Sequence, residues 1–430
     1  MNKDHEAHLN GDGAVAQGDG AVAAGKQAVV IKGSGNTVTI TYQGAEIAIP
    51  ALDAVAAHRV ALRAHLERRA RQRWGSMATY IHEEGAALPL EASPYQTGRL
   101  GPREPLLQAL RDAQRLLLLG GPGAGKSVSL ECLAWELCAG EEPQIPVLLP
   151  LFRYDGASLH AWIRAYLQRT GHLRLDSEQA LIAFLKESPA RCYVLFDGLN
   201  EVPPAHRDTL IGELTRWLMT YPRHPVVVTS RPQDELWRQV RGELERALVV
   251  QPISDDQAQA YLVAHLEDKG RDLYARLDDR LRELARTPLI LWLIKEAGGA
   301  DEAIPGNRGE LYARFVSRML RRDTRRKMDA ALPERYKRDA LAQLAYHLGL
   351  EQRLTCSREE AVTVVAQRFD EVQARTLIGA CRRHGLLAGD QDLWFAPHQT
   401  VQEYFMALAL RERWQQERNQ PALRRWWRGM

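Results

Sequence analysis

The sequence has 430 residues, 45% of them hydrophobic, which is enough to fill the cores of roughly two or three domains. Its 57 basic and 54 acidic residues leave a formal net charge of +3, so no overall field favours nucleic acid or anionic lipid. Five cysteines without a C-x-x-C pair disfavour a disulfide or zinc framework. The N-terminal residues lack a secretory signal and no apolar run is of spanning length, so we expect a cytoplasmic protein with no membrane partner.

Residues 11–40 repeat a short phrase in which a glycine turn precedes small or β-branched residues, as in GDGAVAQ, GDGAVAA and GSGNTVTI. Glycine in every phrase disfavours a helix, whereas Ala-Val and Val-Thr-Ile favour short strands, so stacked β-rungs are predicted. A few rungs bury little surface and need a partner, either another copy of the chain or the rest of this one. Residues 1–45 are therefore a candidate oligomerisation segment, with a flexible Gly/Ala leader as the alternative.

The next segment, residues 46–100, is predicted to be a helical linker. Apolar residues recur with a helical period between residues 52 and 74, on a face formed by Leu52, Val55, Leu62 and Leu66. The arginines lie mostly elsewhere, and we expect them to be solvated, with nucleic-acid contact as the alternative. The stretch GAALPLEASPYQTGRLGP has the Pro and Gly spacing of a loop or connector.

Residues 101–255 are predicted to form an α/β domain. Five near-continuous apolar runs, RLLLLG, IPVLLPL, RCYVLFD, PVVVTSR and ALVVQPI, alternate with segments long enough for crossover helices. This pattern indicates a parallel sheet that is covered by helices on both faces.

Strand patterns almost vanish after residue 254. A helical domain is predicted over residues 256–330 and a winged-helix-like domain over 331–412, followed by a basic and aromatic tail at 413–430. The turn at Gly389 and Asp390 predicts a β-hairpin between two short apolar arms. The predicted helices cover residues 255–267, 277–286, 289–296, 309–321, 334–350 and 358–384, and HQTVQEYFMALAL closes the unit.

A phosphate-binding loop of the form G-x-x-x-x-G-K-[ST] follows the first apolar run. Its glycines let the backbone wrap around phosphate, and a helix begins directly after it, so that N–H groups point at the anion. Lys126 is expected to contact the β- and γ-phosphates and Ser127 Oγ to bind Mg²⁺. The predicted nucleotide-binding residues are Gly120, Gly121, Pro122, Gly123, Ala124, Gly125, Lys126, Ser127 and Val128.

Two further strand ends supply polar residues to the same edge of the predicted sheet. Asp197 ends the run RCYVLFD and is the expected Mg²⁺-linked carboxylate, and Glu201, one helical turn beyond, is placed to polarise the attacking water. Arg231 ends PVVVTSR, where it can contact the γ-phosphate and distinguish the triphosphate from the diphosphate. Solvated acids at a strand exit and a surface arginine are the alternatives.

Taken together, these motifs resemble the NACHT branch of the STAND NTPases, the ATPase switches of NOD-like receptors and bacterial defence proteins. The resemblance rests on the Walker A loop, the Walker B form LFDGLNE, VVVTSRP, RTPLILWLI and FAPHQTVQEYF, which occur in this order between residues 103 and 410. It implies that Pro288 packs near the base and that His398 contacts the β-phosphate of bound ADP. A helix-start proline and a core histidine are the alternative interpretations.

One position departs from the commoner D-G-x-D-E form of this family, because Asn200 stands where an aspartate is usual. The loss of one negative charge near the metal predicts slow hydrolysis, which a switch tolerates. A switch requires only that its two nucleotide states differ in energy.

The resemblance implies a slow ATPase that binds ATP or ADP with Mg²⁺ and acts as an oligomerisation switch. Its expected partners are other copies of the chain and an unknown trigger, for which a phage component is our hypothesis by analogy with bacterial defence proteins. A nucleic-acid-linked P-loop ATPase and a STAND-type transcription regulator are the alternatives, although no nucleic-acid partner is expected.

Overall fold

The computed structural model describes residues 31–34, 37–42, 45–74, 90–96, 99–171, 173–298, 306–321, 332–396 and 398–418. Contacts between residues divide the chain into two units. The first unit is drawn from Met1–Ala70, Leu90–Gly121 and Gly125–Gln251, and the second from Arg71–Pro89, Pro122–Ala124 and Pro252–Met430. Within the described ranges, no helix combines the length and apolar character needed to cross a membrane.

The first unit begins with three short strands and a long helix. Strands β1 (Ile31–Ser34), β2 (Thr37–Tyr42) and β3 (Ala45–Pro50) form an antiparallel sheet in the order β1-β2-β3. Most of the predicted β-repeat, residues 11–30, lies outside the described residues. Helix α1 (Leu52–Trp74) has the predicted bounds.

The apolar face predicted for α1 is only partly correct. Val55, Leu62 and Leu66 are buried, but Leu52 is 45% exposed, because it is the first residue of the helix. The arginine face is also not uniformly solvated as expected, since Arg59 is buried.

The central sheet of the first unit is mostly parallel, as predicted. Five parallel strands run in the order β11-β7-β10-β9-β8, and three short antiparallel strands extend the sheet beyond β11. The parallel strands are almost entirely buried, which requires cover on both faces and explains their continuous apolar sequences. The strands are β4 (Glu91–Gln96), β5 (Arg99–Leu100), β6 (Glu104–Pro105), β7 (Arg115–Leu119), β8 (Gln144–Pro150), β9 (Arg191–Asp197), β10 (Val226–Ser230) and β11 (Arg246–Val250).

Helices connect these strands as crossovers, and two of them carry clear N-caps. The side chain of Ser158 accepts a hydrogen bond from Ala161 N, and that of Ser177 accepts one from Ala180 N, which fixes where each helix begins. The helices are α2 (Leu106–Asp112), α3 (Lys126–Ala139), α4 (Leu159–Thr170), α5 (Glu178–Glu187), α6 (Arg207–Thr220) and α7 (Leu236–Val240).

One sequence interpretation is wrong in the segment before the phosphate loop. The stretch expected to be a loop or connector contains β4, which pairs antiparallel with β11, with Ser93 opposite Val249. Its sequence EASPYQ has weak strand propensity and includes Pro94. Pairing with β11, the outermost parallel strand, therefore makes it a strand, and local preference does not.

The second unit contains nine helices and a small sheet among its described residues. The helices are α8 (Asp255–Leu266), α9 (Asp268–Ala275), α10 (Asp279–Ala285), α11 (Pro288–Gly298), α12 (Arg308–Arg321), α13 (Glu334–Leu350), α14 (Arg358–Ala366), α15 (Glu371–Arg383) and α16 (Gln399–Arg418). Strands β12 (Thr355–Ser357), β13 (Leu387–Ala388) and β14 (Asp392–Phe395) form an antiparallel sheet in the order β12-β14-β13.

Most helices predicted in the second unit are present, with two differences. The single helix expected over 358–384 is two helices, because the Asp370 side chain accepts a hydrogen bond from Gln373 N and starts α15 anew. Helix α9 was missed, and it follows a break at Glu267, whose φ of 55° is left-handed. The hairpin predicted at Gly389 is present, and that glycine has a φ of 98°.

Candidate functional site

The phosphate loop joins β7 to α3 at the carboxyl end of the parallel sheet. Gly120 N donates to Ser230 O at 3.2 Å, which holds the start of the loop beside the end of β10. Gly125 has a φ of 94° and is the N-cap of α3, so no side chain covers the N–H groups of the first turn. Ser127 and Val128 lie in that turn, where uncapped N–H groups and the helix dipole favour an anion.

The tip of the loop, Pro122–Ala124, belongs to the second unit. Within that unit Leu289 N donates to Gly123 O at 3.2 Å. Gly123 has a φ of 74°, and a Cβ at this position would lie 2.7 Å from Leu289 Cβ. The close approach of the two backbones therefore requires glycine here.

Lys126 lies among the charged residues that the sequence assigned to the site. Its Nζ donates to Gly120 O at 2.7 Å and to Gly121 O at 3.2 Å. Burial lowers the pKa of this ammonium to about 8, against the charges of Asp197 and Glu201, which raise it, while Arg231 lowers it further. Asp197, Glu201 and Arg231 are thus all close enough to act electrostatically on the phosphate-loop lysine.

Asp197 is held at the end of β9 by a threonine of the neighbouring strand. Thr229 Oγ1 donates to Asp197 Oδ1 at 2.9 Å and accepts from Gly198 N at 2.8 Å. Only one carboxylate oxygen takes part in this bond. A carboxylate and a hydroxyl, as in Asp197 and Ser127, are hard oxygen ligands of the kind that Mg²⁺ prefers.

Glu201 ends a short 3-10 helix, Leu199–Glu201, that follows a left-handed glycine. Gly198 has a φ of 83°, and Glu201 N donates to Gly198 O at 2.8 Å. A Cβ at Gly198 would lie 3.0 Å from Glu201 Cδ, so the glycine leaves room for the carboxyl group. The turn of the chain and the position of this carboxylate therefore depend on the same residue.

Asn200 has a specific partner that the sequence did not indicate. Its Oδ1 accepts a hydrogen bond from Arg231 N at 3.1 Å. Asn200 and Thr229 each join the end of β9 to the end of β10. Sequence reasoning gave Thr229 no role, although a polar residue at the end of an apolar strand was the available signal.

Pro288 and His398 both belong to the second unit. Pro288 is the first residue of α11, where the missing N–H is not needed. His398 Nδ1 accepts from Thr400 N at 3.2 Å, so a neutral ring carries its proton on Nε2, a donor that suits a phosphate oxygen. Their contacts with base and β-phosphate stay predictions.

A second group of candidate metal ligands lies among the described residues of the second unit, at His347, Glu351 and Glu360. His347 Nε2 lies 3.0 Å from Glu360 Oε1 and 3.8 Å from Glu351 Oε1. Arg353 also pairs with both carboxylates, at 3.0 Å from Glu351 Oε2. Because a guanidinium inside the cluster already pairs with both acids, we interpret the cluster as an ion-pair network.

The buried parallel sheet, the phosphate loop and the Asp197 strand end together define an α/β P-loop NTPase fold. Residues 114–269 match the family model for the NACHT domain. This match confirms, for this part of the chain, the family resemblance stated from the sequence.

Solved structures show more distant likenesses. Cdc6p from Pyrobaculum aerophilum is 18% identical, with a TM-score of 0.28, and the match covers 71% of this chain and 91% of that one. A STAND protein with a tetratricopeptide repeat sensor from Pyrococcus horikoshii is 16% identical, with a TM-score of 0.38, over 74% of this chain and 44% of that one. TM-scores this low say nothing about function. A search of curated proteins found no match.

Proposed function

We propose that the protein is an ATP-binding NACHT ATPase that hydrolyses ATP slowly and acts as an ADP/ATP-controlled oligomerisation switch. The observation that carries the proposal is that hydrogen bonds hold the ends of β9 and β10 together and beside the start of the phosphate loop. This places Asp197, Glu201 and Arg231 close enough to Lys126 for their charges to act on it. A lysine, two acids and an arginine around an uncapped helix N-terminus are the groups needed to bind and cleave a triphosphate.

Each residue has a role that follows from its position. Lys126 and the first-turn N–H groups of α3 bind the phosphates, and Arg231 contacts the γ-phosphate. Ser127 Oγ and Asp197 would hold Mg²⁺, which neutralises phosphate charge when it is bound. Glu201 orients the attacking water as a general base.

The switch itself is proposed to reside in the second unit. The succession of helices α13–α15, the β13–β14 hairpin and α16 supports a winged-helix domain, and His398 precedes its last helix. In the ADP state His398 Nε2–H would donate to the β-phosphate and keep the protein closed. ATP and a trigger would break this bond and expose surfaces for homo-oligomerisation.

The cellular role that we propose is antiphage defence in the cytoplasm, with a phage-derived trigger. The NACHT domain match supports this by family analogy, which is a warrant from the fold and not from the site. The Gly-rich residues 1–45 are proposed to assist oligomerisation.

The test is the size of the purified protein with ADP and with a non-hydrolysable ATP analogue, for wild type and Glu201→Gln. We expect a larger assembly only with the analogue, or with ATP in the variant. Lys126→Ala should abolish nucleotide binding, whereas Lys269→Ala, an exposed lysine of α9, should not.

Three outcomes would contradict the proposal. Normal ATP binding by Lys126→Ala would refute the site, and an unchanged size in every nucleotide would refute the switch. ATPase activity that DNA or RNA stimulates would favour the nucleic-acid-linked alternative.

A further inference from the structure

We propose that Asn200 is a positioning residue that fixes Arg231, the γ-phosphate sensor, relative to Glu201. This inference rests on the proposed function, because it concerns how the same nucleotide site distinguishes ATP from ADP. It gives a structural role to Asn200, the position at which the chain departs from the usual D-G-x-D-E form.

The backbone ladder between β9 and β10 ends before the functional residues begin. The last register pair of these strands is Val228 with Phe196, one residue before Asp197 and three before Arg231. On its other side β10 pairs with β7 as far as Ser230. Arg231 N is therefore the first donor beyond both ladders, and it needs another partner.

Side chains continue the connection where the backbone ladder ends. Thr229 Oγ1 joins Gly198 N and Asp197 Oδ1, and Asn200 Oδ1 accepts from Arg231 N. Thr229 is fully buried, and Asn200 and Arg231 are half-buried, so water competes little for the first tie and partly for the second. These hydrogen bonds connect the loop after β9 to Thr229 and Arg231, which are alternate residues along β10 and its extension.

The hydrogen bond from Arg231 N to Asn200 connects the segments that carry Glu201 and Arg231, the two residues proposed to act at the γ-phosphate. Asn200 directly precedes Glu201 within one 3-10 helix, and its acceptor lies on the backbone of the sensor arginine itself. A displacement of either loop therefore changes the distance between carboxylate and guanidinium. Misplacing a catalytic group by about 1 Å can cost about a hundredfold in rate.

Only the acceptor oxygen of the asparagine is needed for this tie. An aspartate would accept the same N–H and would differ from asparagine mainly by its negative charge. The neutral carboxamide makes the same backbone bond without that charge. Asn200 thus need not be a defect of the site.

The experiment compares hydrolysis and nucleotide preference in variants that keep or remove the acceptor. Asn200→Leu keeps the approximate side-chain volume without an acceptor, and Asn200→Ala removes the side chain. Asn200→Asp keeps the acceptor oxygen. We expect the first two to lower single-turnover hydrolysis about tenfold or more and to reduce the preference for the ATP analogue over ADP. Asn200→Asp should stay within about threefold of wild type, since the tie survives.

The control for a general loss of stability is Asn307→Ala. Asn307 Oδ1 also accepts a backbone hydrogen bond, from Glu310 N at 3.0 Å, but it lies at an exposed helix start of the second unit. The variant should lose similar stability and keep wild-type hydrolysis. A double-mutant cycle adds specificity: in an Arg231→Ala background, Asn200→Ala should change the rate less than about twofold.

The outcomes separate this inference from the proposed function. If wild type binds no nucleotide, the proposed function fails, and hydrogen exchange at Arg231 N still tests the tie, because Asn200→Leu should accelerate it and Asn200→Asp should not. If nucleotides bind, an equal loss in both Arg231 backgrounds refutes the positioning role. Damage by Asn200→Asp as large as that by Asn200→Leu would also refute it.

Discussion

The buried position of Lys126 disfavours the charge of its ammonium group. Burial lowers its pKa to about 8, although Asp197 and Glu201 favour the charged form. A bound triphosphate adds negative charge at the ammonium and must raise this pKa. Binding of ATP and uptake of a proton are therefore coupled from about pH 8 upward.

This coupling gives a pH dependence with a definite sign. ATP affinity is fully present below about pH 8 and falls as the pH rises above it, by up to about tenfold per unit. Calorimetry in buffers of different ionisation enthalpy should show proton uptake near pH 8. Lys126→Arg is the control, because a guanidinium stays protonated over this range and the affinity should then be flat. A flat wild-type profile from about pH 7 to 9.5 would refute the lowered pKa.

Gly198 combines a left-handed backbone with the room that Glu201 occupies. Gly198→Ala should strain the turn and displace the carboxylate, because the new Cβ would lie 3.0 Å from Glu201 Cδ. We expect hydrolysis to fall about tenfold to a hundredfold, with ATP affinity within about threefold of wild type. The matched control is Gly212→Ala in α6, where a Cβ meets nothing within 4 Å. If Gly198→Ala hydrolyses ATP like the control, the crowding is unimportant.

Among the elements, α1 packs against the helix that follows the phosphate loop. Arg59 donates to Leu137 O at 2.7 Å and also to Gly140 O, which lie in the last turn and at the C-cap of α3. Arg63 lies over the Trp135 ring at 4.0 Å, and Trp135 Nε1 donates to Glu67. Arg59, which was expected in solvent, therefore caps α3, because a cation suits the carbonyl end of a helix. Arg63 instead stacks on a side chain of the same helix.

The cap can be tested by Arg59→Met, which keeps most of the apolar stem. We expect the free energy of unfolding to fall by about 1–2 kcal/mol, because two part-buried hydrogen bonds to carbonyls are lost. Urea denaturation measures the change, and Arg68→Met, an exposed position of the same helix, is the control. Equal stability of the two variants would show that the cap contributes nothing.

A buried histidine joins α5 to β9. His224 Nδ1 accepts from Cys192 N at 2.9 Å and its Nε2–H donates to Leu185 O at 2.8 Å, so the ring is neutral in the folded protein. Burial lowers the pKa of His224 below its ordinary 6.5, against the hydrogen bond to Leu185 O, which raises it. A protonated ring would lose its acceptor at Nδ1.

The sign of the resulting pH effect follows from the lowered pKa. Below pH 6.5 the unfolded chain binds a proton at this position that the folded chain does not, so stability is full above pH 6.5 and declines as the pH falls through the folded pKa. His224→Gln should be about 1–3 kcal/mol less stable at pH 7.5 and less sensitive to acid. An unchanged acid sensitivity in urea titrations would exclude His224 as its source.

At the scale of the whole molecule, the chain consists of two units with separate sets of contacts. Two such units need not unfold together. We expect two calorimetric transitions, and ATP at about 100 times its Kd should stabilise the nucleotide-binding unit by about 2.7 kcal/mol. Lys126→Ala should remove this shift. A single two-state transition in wild type would contradict the prediction.

The sequence by itself determined the parallel sheet, the phosphate loop and the helical character of the second unit. Each of these features has a local sequence pattern. Continuous apolar runs predict β7–β11, glycines followed by Lys126 predict the phosphate loop, and a 3.6-residue period predicts helices such as α13. Local preference and final structure agree there, so adjacent residues suffice to predict them.

Only the tertiary structure decided the pairing of β4 with β11, the helix cap by Arg59 and the tie from Asn200 to Arg231. The partners of these contacts are far apart in the chain, by 78 residues for Arg59 and Leu137 and by 31 for Asn200 and Arg231. Neither partner has a local pattern that indicates the other. The functional detail of the site therefore depends on which strand ends the folded sheet places side by side.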